Sequence, residues 1–363
     1  MQSLKGRMAL MIGAAALMIL MMMGLSGLAK NARRTQRYNE PDSSFAALRY
    51  PYRQLDERGK ELYLALYQGI SDYQTRITLP GTYTAEEYKK VYLLLTTQEP
   101  ELFYLDTVYE TAAEMRSAEM FYIMAREDAE AMRTELELAA DTVLRQTSGQ
   151  SDLQRLLGIH DWICQRCSYL RTPLSDTAYG CLVSGTAMCE GYAKAFLYVA
   201  RRAGLDVMCV PGTTDKGEAH IWNIASADGQ YYNIDVTWDD DDTYQGVTTH
   251  TCFAVPDAVF GDHRPDLSLL SPPACTDAAK NYYQMRGFVL SEPGRLAESL
   301  QSWNGAVPER VIEFRCAGAG VFEQAKELLR SDAAVHAALE AVTGGTHARI
   351  IADENRAAVV ILT

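Results

Sequence analysis

Ser184-Gly185-Thr186-Ala187-Met188-Cys189-Glu190-Gly191-Tyr192 is the stretch on which the fold turns. Tyr192, Ala195, Phe196, Val199, Ala200 and Ala203 recur at helical spacing, and Gly204 stands at a favoured helix end. Thr186 is of the N-cap type, which places Cys189 in the first turn of that helix. A helix N-terminus carries partial positive charge, and such charge favours a thiolate, the nucleophilic form, over a thiol. Free cysteines are more often small buried hydrophobes, so the position of Cys189 does not decide its role alone.

The next segment supplies partners. Asp206–Val210 reads as a strand, and Ala219–Ser226 and Gln230–Thr237 read as two strands around the Asp228-Gly229 turn. A two-residue loop pairs Ala227 with Gln230 and sets Trp222 opposite Asp235. His220 then shares a sheet face with Asp235 as its diagonal neighbour. A loop two residues longer sets the two directly opposite, and only an odd slip separates them. A core histidine and a turn-end cap are the bland alternatives. A helix-start cysteine, an imidazole and a carboxylate together are what cysteine acyl transfer needs: nucleophile, proton carrier, and a group fixing the imidazole tautomer.

Four blocks carry a resemblance: Gly180-Cys181-Leu182; Gly185-Thr186-Ala187-Met188-Cys189-Glu190-Gly191-Tyr192-Ala193; Ala219-His220-Ile221-Trp222-Asn223; and Tyr232-Asn233-Ile234-Asp235-Val236-Thr237-Trp238-Asp239. In order and spacing they resemble the bacterial transglutaminase-like superfamily, over about residues 150–290. His250-Thr251-Cys252-Phe253 and the stretch from His263 to Tyr283 are similar to the segment after the core in that superfamily. The resemblance implies an α+β fold with a papain-like core, in which a cysteine helix packs on an antiparallel sheet. It implies Cys189 as nucleophile, His220 as general base and acid, and Asp235 as orienting group. An oxyanion would be held by the Cys189 N–H and a second donor that the sequence does not identify. Trp222 and Trp238 flank these residues and are candidate substrate-binding walls, with core packing as the alternative.

The rest of the chain frames this core. Met8 to Ala29 holds no charged residue and comes after Lys5 and Arg7. At about 1.5 Å rise per residue it is long enough to span a hydrocarbon layer. The expected organisation is a signal anchor over 1–29, a linker over 30–44, a mainly helical region over 45–148, the catalytic core over 149–303, and a small α/β module over 304–363. Helices are expected over 55–70, 83–95, 120–145 and 152–167. The tail reads as a strand Val311–Arg315, two helices and a hairpin turning at Asp353–Arg356. Cleavage after Ala29, which ends a small-x-small site, would release the chain instead of leaving it a single-pass membrane protein.

The formal net charge of −13 repels phosphate backbones, which argues against nucleic acid as a partner. His160, Cys164 and Cys167 share one face of a predicted helix as a possible metal set, but Ile159, Trp162 and Ile163 favour packing. Asp239 to Asp242 form a carboxylate run that could collect Ca²⁺, though without EF-hand spacing it reads as a solvated turn. Core packing and an adhesive face are both open uses for the 21 tyrosines. Eight cysteines allow no assignment of bridges. No cofactor or metal is expected. The expected function is an extracytoplasmic cysteine acyl-transfer enzyme acting on protein or peptide amides in the cell envelope, as peptidase, amidase or transglutaminase. The competing reading is a non-catalytic binding or scaffolding module, which would have no need of all three side chains.

Overall fold

The computed structural model describes residues 38–147, 151–240, 247–304, 311–344 and 348–362. The apolar run Met8 to Ala29, expected as an anchor, lies outside them, as do Asp241 and Asp242. Among the described residues no helix is long and apolar enough to cross a membrane.

The fold is mixed α/β. Helices α1 (Glu57–Ser71) and α2 (Ala85–Gln98) flank strand β1 (Arg76–Thr84), which pairs antiparallel with β2 (Glu114–Glu119). Helices α3 (Arg126–Thr147) and α4 (Asp152–Cys164) lead to a short parallel pair, β3 (Ser168–Tyr169) and β4 (Thr186–Ala187). The cysteine helix α5 (Cys189–Arg202) comes next. It packs on a sheet of order β7-β6-β5-β8, made of β5 (Val207–Thr214), β6 (Ala219–Ala227), β7 (Gln230–Ile234) and β8 (His263–Pro265). Between β7 and β8 lies the short helix α6 (Val236–Asp239). A second sheet of order β11-β12-β10-β9 gathers β9 (Val289–Leu290), β10 (Val311–Cys316), β11 (Arg349–Asp353) and β12 (Ala358–Leu362). Helices α7 (Leu296–Asn304), α8 (Ala319–Ser331) and α9 (Ala333–Thr343) accompany it.

Some sequence expectations need correction. Within the region over 45–148, expected to be mainly helical, β1 and β2 add an unexpected two-stranded sheet. Arg76–Leu79 alternates exposed and buried, the period of a half-buried strand, but a long connection carrying α2 separates it from its partner. The helix expected from 120 begins at Arg126, because Met120 and Tyr122 are engaged by Thr75 and Leu105. The 152–167 helix stops at Cys164, and the strand expected to Thr237 stops at Ile234, where Asp235 caps α6. Thr186 does not cap the cysteine helix. It is extended, paired with Ser168, and its hydroxyl meets that of Thr172 at 2.9 Å. Met188 occupies the cap position without a side-chain hydrogen bond, so Cys189 is the first helical residue.

Polar side chains stitch the cysteine helix and its sheet to their neighbours. The Asn223 amide on β6 donates to Ala193 O of α5 at 3.0 Å and to Met208 O of β5 at 3.2 Å. Gln98 bonds both backbone groups of Cys209. Buried Glu99 receives Arg49 and, from α5, Arg201 at 2.9 Å. Tyr63, Tyr83, Tyr88, Tyr92 and Tyr104 are fully buried, so tyrosine serves this core.

Two glycines aim Cys189. Gly185 has φ +72°, the left-handed turn a Cβ disfavours, just before β4. A Cβ at Gly191 would lie 2.2 Å from Ser175 O, a backbone atom that cannot rotate away. Alanine there gains about 1 kcal/mol of helix propensity but overpacks by about 1–3 kcal/mol. Gly191→Ala is therefore expected to lower the urea midpoint, and an unchanged or raised midpoint would refute the close approach.

Candidate active site

Cys189 lies in a cleft of about 750 Å³, lined also by Tyr169, Arg171, Glu190, His220 and Arg264. As the first residue of α5, its N–H has no acceptor within the helix. Tyr169, on β3 beside the cysteine turn, lines the same cleft, and its hydroxyl is pushed up by burial and by the neighbouring Cys189.

His220 comes up from β6. Its Nε2 meets Asp235 Oδ2 at 2.6 Å, and the ring also interacts with the Cys189 thiol. Asn223 pairs with Ile234 in the observed register, so the Asp228-Gly229 hairpin is the two-residue form and Asp235 is diagonal to His220. Asp235 is 1 % exposed. Its Oδ1 accepts the N–H groups of Thr237 at 3.0 Å and Trp238 at 3.2 Å, as the cap of α6. Its Oδ2 serves a second imidazole as well, His263 Nε2 at 2.9 Å.

Burial alone would push His220 down, but the Asp235 carboxylate outweighs it and raises the group to about 10. Burial pushes Asp235 up, and His220 with His263 overrides that and holds it well below its ordinary range. Both shifts favour an ion pair at neutral pH.

Trp222 and Trp238 both stack near the His220 ring, with centroids 6.3 and 5.5 Å away. Trp222 is buried and donates to Asn233 Oδ1 at 3.2 Å. Behind them stands a group the sequence reading did not single out. His263 Nδ1 meets Asp262 Oδ1 at 2.8 Å, and Asp262 receives both Nη atoms of Arg356 at 2.9 and 3.0 Å. The one available signal was the adjacent Asp262-His263 pair in a chain with six histidines. Arg356 lies some ninety residues away, and nothing local announces it.

The other candidates resolve differently. His160, Cys164 and Cys167 are all buried, as packing requires. His160, Asp161 and His250 instead bring three donor atoms within 4.8 Å of one another, a spacing that a divalent ion could bridge. Yet each ring nitrogen already has a carboxylate: His160 has Asp161 and Asp239, and His250 has Asp161 and Glu313. An ion-pair network accounts for this cluster. The described half of the carboxylate run, Asp239 and Asp240, is no solvated turn either. Asp239 is buried and receives the Cys252 N–H and the hydroxyls of Thr249 and Thr251. Asp240 accepts the Tyr192 hydroxyl. All eight cysteines are free thiols.

Residues 139–236 match the transglutaminase-like superfamily. This segment is transglutaminase-like. It contains Cys189, His220 and Asp235, whereas His263 and Arg356 lie beyond it. No curated protein sequence matches the chain. A structure of a candidate cysteine protease from Cytophaga hutchinsonii shares 14 % identity and a TM-score of 0.25, over 28 % of this chain and 37 % of that one. A structure described as a TGase shares 14 % identity and a TM-score of 0.26, over 37 % of this chain and 43 % of its own. The chain spans less than half the length of either. Those likenesses are partial and assign no activity to the transglutaminase-like segment.

The pair of shifts fixes a pH dependence. His220 is raised from 6.5, so its stabilisation is complete below about 6.5 and is lost as pH rises through about 10. Asp235 is lowered from 3.8, so its share is present above that value and is lost on further acidification. The stability gap between wild type and His220→Gln, read by urea unfolding, is expected to be wider at pH 6 than at pH 10. An equal gap at both would show that no ion pair forms.

Proposed function

We propose that this chain is a cysteine-dependent acyl-transfer enzyme acting on protein or peptide amides, on a papain-like core held outside the cytoplasmic membrane by Met8 to Ala29. What carries the reading is the 2.6 Å contact of His220 with Asp235, beside a cysteine that opens a helix in an accessible cleft. The transglutaminase-like match supports the reaction class.

In this reading the thiolate of Cys189 attacks the substrate carbonyl carbon, forming the S–C bond while the π electrons move to oxygen. The oxyanion takes hydrogen bonds from the Cys189 N–H and the Tyr169 hydroxyl. The carbonyl re-forms, the C–N bond breaks, and His220 gives its proton to the departing amine. Water or a second amine then attacks the thioester, His220 removes its proton, and Cys189 leaves as thiolate. Asp235 keeps one nitrogen of His220 occupied throughout, so the other serves the sulfur and the amine.

A cysteine activated by an adjacent imidazole is far more reactive than a buried neutral thiol. On intact cells, a membrane-impermeant alkylating reagent at pH 6.5 is expected to label Cys189 ahead of the other seven cysteines, with the label gone in Cys189→Ala. Labelling no faster than the others leaves the scaffold reading, and labelling only after lysis removes the proposed location. Loss of one oxyanion donor costs on the order of a hundredfold in kcat. Tyr169→Phe is expected to show that loss on a peptide-amide substrate with KM little changed, and an unaltered kcat would exclude Tyr169 from the donor pair.

A further inference from the structure

We propose that Arg356, in the turn between β11 and β12, is a positioning residue for the proposed catalytic pair, acting through Asp262 and His263 on Asp235. The inference rests on the catalytic reading of Cys189, His220 and Asp235. It adds a role for the C-terminal hairpin, which lies outside the matched segment.

The contacts run without a break. Arg356 grips Asp262 with both Nη atoms, a fork geometry that fixes direction as well as distance. Asp262 holds His263 Nδ1 at 2.8 Å, and His263 Nε2 reaches Asp235 Oδ2 at 2.9 Å. His220 takes the same oxygen at 2.6 Å. Every member is buried: Arg356 is 3 % exposed, Asp262 5 % and His263 6 %. The His263 ring has little freedom, since Phe260 stacks on it at 3.7 Å and Trp238 lies at 4.3 Å. The Arg356 guanidinium covers both of those rings. Asp353 Oδ2 meets Arg356 at 3.1 Å and its Oδ1 caps the Arg356 N–H, so the hairpin turn itself aims the arginine.

Charge makes the set interdependent. Both nitrogens of His263 face carboxylate oxygens, so the ring sits between Asp235 and Asp262. Arg356 balances the outer one. Without it Asp262 would keep only His263 and the Asn355 amide, which donates at 2.9 Å, and its uncompensated charge would draw His263 off Asp235. Asp235 would then lose one of its two imidazole partners, and the oxygen that aims His220 would no longer be fixed.

The test uses the full chain and the rate of Cys189 alkylation by iodoacetamide between pH 5 and 9, which needs no known substrate. Arg356→Gln is expected to slow Cys189 about tenfold near pH 6.5, the scale of a small misplacement of a reacting group, and Arg356→Lys, which keeps the charge but loses the fork, to recover only part of the rate. Asp262→Asn is expected to slow it as well. The two substitutions change the local charge in opposite senses, so a shared fall reports positioning, whereas opposite shifts would report only field and overturn the proposal. In a His263→Gln background Arg356→Gln should add nothing further. A folded Arg356→Gln with the wild-type rate across the range overturns it too. If Arg356→Gln does not fold, Asp262→Asn at the wild-type rate does so instead. Failure of the enzyme reading looks different: wild-type Cys189 is then no faster than the other cysteines.

Discussion

A carboxylate taken almost wholly out of water costs several kcal/mol unless hydrogen bonds and opposite charge replace its hydration. Asp235 meets that condition with four donors: two imidazole nitrogens and the amides of Thr237 and Trp238. The amides come from the start of α6, so the same atom set ends β7, begins the short helix and fixes the carboxylate plane. Everything proposed for His220 depends on that constraint. The ring is held at one nitrogen by Asp235 and flanked by two indoles, in the cleft that Cys189 also lines.

Cys189 is placed by close approach more than by capping. Met188, at the cap position of α5, makes no side-chain hydrogen bond to the first turn of the helix. The helix reaches its place because Gly185 turns left-handed and because Gly191 lets the Ser175 carbonyl come in where a side chain would stand. The Met188 N–H then bonds that same Ser175 carbonyl, locking the turn. Asn223 ties the helix to the sheet that carries His220, so sulfur and imidazole are registered by one amide side chain. This is a rigid arrangement of the kind that a reacting pair requires.

Much of this was legible because it is local. The Asp228-Gly229 turn dictates the hairpin register, and register alone puts His220 and Asp235 on one face. The helical spacing after Cys189 was equally plain. What escaped depended on long separations or on side chains changing their usual role. Thr186 looked like a cap but pairs as a strand, because Ser168 offers it a backbone partner. Arg76–Leu79 lacked a visible mate, since β2 comes only after α2. Asp239 looked solvated by its neighbours in sequence, yet its partners Cys252 and His160 come from distant segments. Tyr169 and His263 gave no periodic or turn signal, Arg356 lay in the turn read at Asp353–Arg356 with no sign of its partner, and only the folded chain brings the three to the site.

The second buried network bears on why the C-terminal sheet carries charge at all. On β10, Glu313 is buried and receives the His250 backbone N–H, the His250 ring and the Tyr283 hydroxyl. Replacing buried ion pairs by apolar residues of similar size is often neutral or stabilising. Apolar faces, however, tolerate sliding, and hydrogen bonds at fixed angles do not. Glu313 and His250 join β10 to the loop after α6, and α6 is capped by Asp235. In turn β10 pairs with β12, and β12 pairs with β11 to close the hairpin that holds Arg356. A shift of one residue between β10 and β12 would carry Arg356 about 3.3 Å along the strand, well beyond hydrogen-bond reach of Asp262. The Glu313 contacts therefore place β10 against the loop after α6, and the backbone pairing of β10 with β12 carries that placement to the hairpin that holds Arg356.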